Sequence, residues 1–462
     1  MMRGRLMVGQ RSLEPSILVR IQAPQNKINK LIMFYSDLHI HSKYSRATSS
    51  KLTFPYLLYW ATLKGITLLG TGDILHSKWQ EEFQEFLLLD EKTGFYKFNT
   101  KYLSRIELLK QKIFLKYYNN TLFIPTVETS HIYKDGAKVR RIHLVTIFRN
   151  LESAKKISTF LSNEGYNLSS DGRPIMGLST YNYLQLLLNI IKPENFILIP
   201  AHIWTPWFAL LGSKSGYNSI KEAFRDLTSY IKSLETGLSS DPKMNRLIPE
   251  IDNFLLVSNS DAHSPQKLGR EANIHTKLDN IETLFKTLTT GENLYGTIEF
   301  YPQEGRYFGD GHRKCNIYYT PEQSECVNNL CPKCGKPLTL GVLHRVHELS
   351  KLREYPNELL LQKYKSIYSV PLATIIAQLL NKNEKSVYVS KEYFEAIRNL
   401  GPELKILHEL DTKIIQAYNP KLACLIRNMR EGNLEIKPGY DGLYGRVKIN
   451  SSNCQSKQLT II

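Results

Sequence analysis

The sequence predicts an α/β protein: a barrel of strands and helices, then a small metal-binding module, then a helical C-terminal domain. Three observations carry this. Between residues 34 and 300, short apolar runs alternate with longer stretches of helical period. Four cysteines then crowd into a Gly- and Pro-rich segment, and residues 354–429 show amphipathic helical spacing broken by Pro356, Pro371, Pro402 and Pro420. The expected domains are a basic extension over 1–32, the barrel over 33–300, the metal module over 301–350 and the helical domain over 351–462.

The apolar runs at 34–39, 66–70, 122–127, 142–148, 196–200 and 254–257 have the length of buried strands. The segments at 52–64, 79–89, 102–117, 180–191 and 219–231 place apolar residues three and four apart, as helices do. Strands alternating with helices imply parallel pairing, and this many units favours a barrel. In such a fold the reactive side chains gather at strand ends. Residues 1–30 carry Arg3, Arg5, Arg11, Arg20, Lys27 and Lys30 against Glu14 alone, with no clean period. They are expected to be a disordered arm or a misassigned start, with Met33 as the natural first residue.

The chain has 462 residues, of which 42% are hydrophobic and 22% charged, enough for a large core and too little bias for a disordered or fibrous protein. No uncharged apolar run reaches the roughly eighteen residues of a membrane span, so a soluble protein with no membrane partner is expected. The start lacks a secretory signal, which points to a cytoplasmic, reducing setting in which cysteines bind metal in preference to forming disulfides. Sixty Lys and Arg against 43 Asp and Glu leave a net charge of +17, which suits a polyanionic partner, nucleic acid first.

The sharpest local signal is Asp37-Leu38-His39-Ile40-His41-Ser42. Two histidines at i and i+2 on a strand face the same way and can reach one metal. An isolated pair would as often be hydrogen-bonded core residues, but the chemistry recurs. Asp73 and His76, Glu128 and His131, His143, His202, and Asp261 with His263 all lie in or just after apolar runs. Burying so many acids and imidazoles is costly without cations to compensate. Mixed His and carboxylate donors suit Zn, Mn or Fe, and adjacent ions suit hydrolysis of phosphate esters by an activated water. Asp73, Glu128 or Asp261 could bridge two ions, and His76, His131 or His202 could protonate a leaving alkoxide.

These residues resemble the polymerase and histidinol phosphatase (PHP) family. That resemblance implies a distorted (βα)7 PHP barrel holding up to three divalent ions (Zn, Mn or Mg) on His39, His41, Asp73, Glu128, His143, His202, Asp261 and His263. One departure concerns the family's second motif, where His directly follows Asp; here Ile74 and Leu75 separate Asp73 from His76. Longer blocks resemble the endonuclease Q family: Gly70-Thr71-Gly72-Asp73, Pro200-Ala201-His202-Ile203-Trp204-Thr205-Pro206-Trp207, Glu235-Thr236-Gly237-Leu238-Ser239-Ser240-Asp241-Pro242, Ser258-Asn259-Ser260-Asp261-Ala262-His263-Ser264-Pro265 and Asp310-Gly311-His312-Arg313. The resemblance implies nicking of DNA on the 5′ side of deaminated bases (hypoxanthine, uracil, xanthine) and abasic sites, with Asp261, Asp73, His202 and His76 as catalytic candidates.

Cys331-Pro332-Lys333-Cys334 is a tight turn offering two thiolates to a structural zinc. Cys315 supplies a third. Either His312 or Cys326 could be the fourth, with His312-x2-Cys315 mirroring Cys331-x2-Cys334. Cys424 and Cys454 stand far off. Around the module, Arg306, Arg313, Lys314, Lys333 and Arg345 interleave with Tyr301, Tyr307 and Phe308, and Trp204 and Trp207 lie near a predicted ligand. Bases with aromatics suit phosphate contact and stacking on damaged DNA, double-stranded and also single-stranded. The tail at 455–462 lacks the aromatic pair a sliding-clamp peptide needs, so clamp contact through it has little support. Two other readings compete: a phosphatase of small monoesters, which leaves the zinc module and the charge without a purpose, and a non-catalytic nucleic-acid-binding protein on a degenerate barrel.

Overall fold

The computed structural model describes residues 33–118, 121–350 and 353–454; the N-terminal extension and the clamp-type tail considered above lie outside them. The fold is α/β with a helical C-terminal region. Strands Phe34–Asp37, Leu68–Gly70 and Leu122–Ile124 pair in parallel in that order, as their uninterrupted burial requires. Pro125, which has no N–H to give to a ladder, ends the third strand, and the chain resumes as Thr126–Asp135. Ser233–Glu235 pairs in parallel with Leu255–Val257.

The uniformly parallel arrangement does not hold. Thr126–Asp135 runs antiparallel to Lys138–Phe148, and the latter antiparallel to Phe196–Pro200. The cause is the connection: a tight turn at Gly136 (φ 59°) joins the first two strands, and only antiparallel neighbours can be joined without a crossover. Nor do these strands form one continuous sheet. The Ile203 amide donates to the Glu235 carbonyl (3.1 Å) and the Asp261 amide to the His39 carbonyl (2.9 Å), so isolated bonds link the separate sheets around a common centre.

Helical period also overreached. The 102–117 stretch divides into short turns and a helix at Lys112–Tyr117, and the 79–89 helix stops at Phe86 because Leu87–Leu89 pairs with Tyr96–Phe98. The C-terminal helices, Leu372–Leu380 through Pro420–Arg430, are tied to the α/β region. Strand Lys365–Tyr368 extends the largest sheet alongside Leu294–Glu299, and buried Lys64 donates to Glu403 at 2.6 Å. A Gly-rich turn at 438–445 returns to the metal module, where the Gly309 amide donates to the Gly439 carbonyl (3.0 Å) and a Cβ on Gly439 would collide with the Gly305 carbonyl.

The expectation that metal sites would replace disulfides needs correction at one pair. Cys424 and Cys454 are bonded, because the hairpin Leu434–Lys437/Arg446–Ile449 brings the chain back against helix Pro420–Arg430. Among the described residues, no helix is long and apolar enough to cross a membrane.

Candidate metal centre

Three side chains enter the centre from strained backbone. Asp73, His202 and Asp261 have φ of 50°, 27° and 46°, a region that non-glycine residues rarely adopt. Each lies within a few residues of a strand end, after Leu68–Gly70, Phe196–Pro200 and Leu255–Val257, where the chain turns over the mouth. Gly237 (φ 62°) is required beside them, since a Cβ there would strike His202.

Two donor sets converge. His39, His41 and Asp261 place ligand atoms within 4.8 Å of one another, and so do Glu128, His143 and His202. Glu128 lies between them. Its Oε1 is 2.6 Å from His143 Nδ1, 3.1 Å from His202 Nε2 and 3.6 Å from His39 Nε2, and its Oε2 is 3.5 Å from His41 Nε2. Asp261 Oδ1 lies 3.0 Å from His41 Nε2. Burial opposes charge throughout, yet Glu235 and Glu128 hold the His39 imidazolium well above the ordinary histidine range, and Asp261 and Asp73 raise His41 to about 9. Burial keeps His143 neutral, down at about 4, even beside Glu128. Against burial, His143 and His202 hold Glu128 ionised, and His41 and His39 do the same for Asp261.

The chemistry of this set fits divalent cations. Buried His39 Nε2 points into it without a hydrogen-bond partner among the described residues. Both sets offer imidazole and carboxylate donors suited to Zn or Mn. Behind them is a supporting layer. Glu235 accepts from His39 Nδ1 (2.9 Å), the His202 amide (2.9 Å) and Asn259 Nδ2 (2.9 Å), which fixes the His39 imidazole and the His202 backbone at once. Asn259 in turn accepts from the Leu38 amide, and Asp37 from the amides of Ser260 and Gly269.

The structure distributes the predicted residues unevenly. His39, His41, Glu128, His143, His202 and Asp261 come together. Asp73 sits behind His41: its Oδ2 takes hydrogen bonds from the Ser42 amide and hydroxyl and the Ser45 hydroxyl, and its Oδ1 lies 3.4 Å from His41 Nδ1. His263 flanks His41 with ring centroids 4.6 Å apart, its Nδ1 on the Asp261 carbonyl. His76 stacks on Tyr44 at 4.3 Å and joins neither donor set. His131 points away, with one nitrogen on Thr129 and the other on the Leu178 carbonyl, and burial pushes it down to about 3. Sequence reasoning passed over Arg173, whose Nη1 donates to Glu128 Oε2 at 3.1 Å. It also gave Glu235 no role, although both stand at the centre. The only trace was Glu235's position in a resembling block; Arg173 lies in a loop with no periodic signal.

In the second metal-type site, His312, Cys315, Cys331 and Cys334 converge within 4.8 Å, while Cys326 lies exposed at the end of helix Pro321–Cys326 and outside the group. Burial opposes ionisation of Cys331, but the Lys333 and Cys334 amides bring its thiol down to about 6, toward the thiolate a metal needs. Of the DNA-contact candidates, Arg306 lies over Tyr307 at 5.3 Å, and Arg313, Lys314 and Lys333 are exposed. Two need correction. Trp204 is fully buried with its indole N–H on Asn245 (2.8 Å), and Arg345 spends its donors on Glu348, Asn218 and the carbonyls of Leu211 and Tyr217. Trp207, 42% exposed, is the tryptophan a ligand can reach.

The donor sets define the class first: an α/β protein built to hold divalent metal ions at strand ends. The fold then narrows the class. The chain matches the crystal structure of the lesion-specific endonuclease PfuEndoQ from Pyrococcus furiosus with a TM-score of 0.77 and 29% identity, over 92% of this chain and 98% of that one. Endonuclease Q in complex with a 27-mer duplex carrying an abasic lesion at the active site gives 0.75 and 29%, over 93% and 100%. The chain thus shares the endonuclease Q fold over nearly its whole length. Residues 371–433 match the family described as the MJ0043 C-terminal domain. The uncharacterized protein MJ0043 of Methanocaldococcus jannaschii is 32% identical over 255 residues, which make up 53% of this chain and 31% of that protein, so the chain spans about a third of its length. The uncharacterized protein YqxK of Bacillus subtilis is 29% identical over 433 residues, or 90% of this chain and 99% of that one.

Proposed function

We propose that the protein is a metal-dependent DNA endonuclease that nicks the strand 5′ to deaminated bases and abasic sites, acting in the cytoplasm. The observation that carries this reading is the pair of buried donor sets around Glu128, set in a fold shared nearly end to end with an endonuclease whose complex holds an abasic lesion at its active site.

His39, His41 and Asp261 would hold one cation, His143 and His202 a second, and Glu128 would touch both. Divalent cations there would acidify a water and neutralise charge on the scissile phosphodiester. The remaining roles fall to the chain itself. Glu235 fixes the His39 imidazole and the His202 backbone, and Asp73 orients His41 through Nδ1. Arg173, 23% exposed, can turn from Glu128 to a phosphate oxygen, the contact a guanidinium makes best. His263, on the open side of Asp261, would give a proton to the departing oxygen. The Cys/His module would hold a structural zinc.

An apolar pocket of about 810 Å3 beside the centre is lined by Trp207, Phe208, Tyr307 and Tyr444 and has room for an unstacked nucleotide. The test is incubation with duplexes containing one uracil, hypoxanthine or abasic site, with undamaged controls, across a divalent-metal series. A single nick 5′ to each lesion is expected. Hydrolysis of para-nitrophenyl phosphate with no lesion-dependent nick would instead support the phosphatase reading.

A further inference from the structure

One cleft outside the metal centre gathers several cations that no carboxylate faces among the described residues. A cleft of about 630 Å3 opens between the turn end of the Lys138–Phe148 strand, the loop at 213–218 and helix Val342–Leu349. Lys138, Arg140, Arg141 and Lys214 line it, and none of the four has a carboxylate within ion-pair distance among the described residues. Three surface lysines elsewhere, Lys156, Lys192 and Lys286, each face a glutamate. The cleft's own carboxylate, Glu348, is taken by Arg345 at 2.6 Å.

The floor is already ordered. Arg140 lies over the Tyr217 ring at 3.9 Å and donates to the Gly216 carbonyl, while its Nε is buried without a partner. Arg345 pins the loop to the helix through the Leu211 and Tyr217 carbonyls. Lys138, Arg141 and Lys214 are exposed at the rim and free to reach a ligand. Trp207 borders both this cleft and the apolar pocket. The next residue, Phe208, accepts the His143 amide at 3.1 Å and packs on its ring at 4.8 Å. The cleft is thereby linked to the metal centre through Trp207 and Phe208.

We propose that this cleft seats the sugar-phosphate backbone of the duplex flanking the lesion, through contacts that read neither sequence nor damage. The proposal rests on the endonuclease reading above. Fixed cations over a polar floor match phosphates, whose neutralisation governs the salt dependence of binding. The cleft would hold ordinary duplex in register while the apolar pocket beyond Trp207 tests the base.

The experiment compares wild type, the rim variant K138A/R141A/K214A and a charge-matched control, K156A/K192A/K286A. Affinity for lesion and undamaged duplex is measured against salt, with melting and single-turnover nicking at saturating protein. Losing up to three phosphate contacts should flatten the slope of log K against log salt by roughly 2–3 and weaken binding at least about tenfold in moderate salt, equally on both duplexes. Nicking once bound should stay within about twofold of wild type, and the control should leave the slope in place. Rim and control variants with the same slope and affinity overturn the proposal. K138A and K214A separately, on different segments, repeat the test if the triple variant melts early. Wild type that binds duplex through these residues yet nicks no lesion overturns the activity reading and leaves the cleft standing. Lesion nicking with binding unchanged in the rim variant does the reverse.

Discussion

The protein holds two metal-type donor sites built on opposite plans. The Cys/His module takes its four donors from 23 consecutive residues, with Cys331 alone among them buried and backbone amides supporting its thiol. The strand-end centre draws on residues from His39 to Asp261, is largely buried, bends the backbone at two donor-bearing positions, His202 and Asp261, and rests on a second tier of Asp37, Glu235 and Asn259. The difference separates structural from reactive use. A closed thiolate knuckle needs only local spacing and stabilises what surrounds it, whereas a reactive centre needs donors that cannot relax, held in place by the whole fold.

Breaking the centre at Asp261 should have the largest effect. Asp261→Ala removes the carboxylate from one donor set, and single-turnover nicking should fall by at least about a thousandfold. DNA affinity should hold within a few-fold, because the proposed cleft would supply phosphate contacts away from Asp261. Breaking the other site should give the converse. Cys331→Ser should release one zinc per chain and lower the melting temperature by at least about 5 °C, as read by metal analysis and thermal melting. A variant that keeps its zinc and melts normally would remove the structural-zinc assignment.

The contrast also explains what was legible in the sequence. Cys331-x2-Cys334, His39-x-His41 and Asp261-x-His263 could be read because their spacing is local and one strand or turn sets their geometry. Glu235 and Arg173 could not. Glu235 ends a strand of only three residues, and Arg173 approaches Glu128 across 45 residues of chain, so their roles exist only after folding. Trp204 and Arg345 were misread because residue type does not reveal whether an indole is buried or a guanidinium already satisfied. Parallel strands were expected throughout because helical stretches follow most apolar runs; the turn at Gly136 is the local signal that contradicts this for one pair. Apolar period likewise could not distinguish the extended Leu87–Leu89 from the helix before it, since pairing with Tyr96–Phe98 decides the matter.

Subtler changes sharpen the comparison. Glu235→Gln keeps every donor in the centre but weakens their support; metal affinity should fall roughly 10–100-fold, with nicking partly restored at high metal, and metal titration of activity reads this. The smallest effect concerns pH. Burial pushes Glu271 up from an ordinary 4.5 to about 8, so between those values the folded protein keeps a proton that the unfolded chain releases. Stability should therefore decline as pH rises through that window, by at most about 1.4 kcal/mol per unit from this group. Glu271→Gln should remove that part of the slope; melting curves of the two proteins that stay parallel from pH 5 to 8 would contradict it.

The most direct test of the central claim is to strip the protein of metal, restore zinc to the Cys/His module, and follow single-turnover nicking of an abasic-site duplex while a divalent cation is titrated back. Nicking should be absent after stripping, return as cations fill the buried sites in wild type, and stay absent in Asp261→Ala despite bound DNA. Nicking that survives stripping, or that Asp261→Ala retains, would contradict the assignment of this centre.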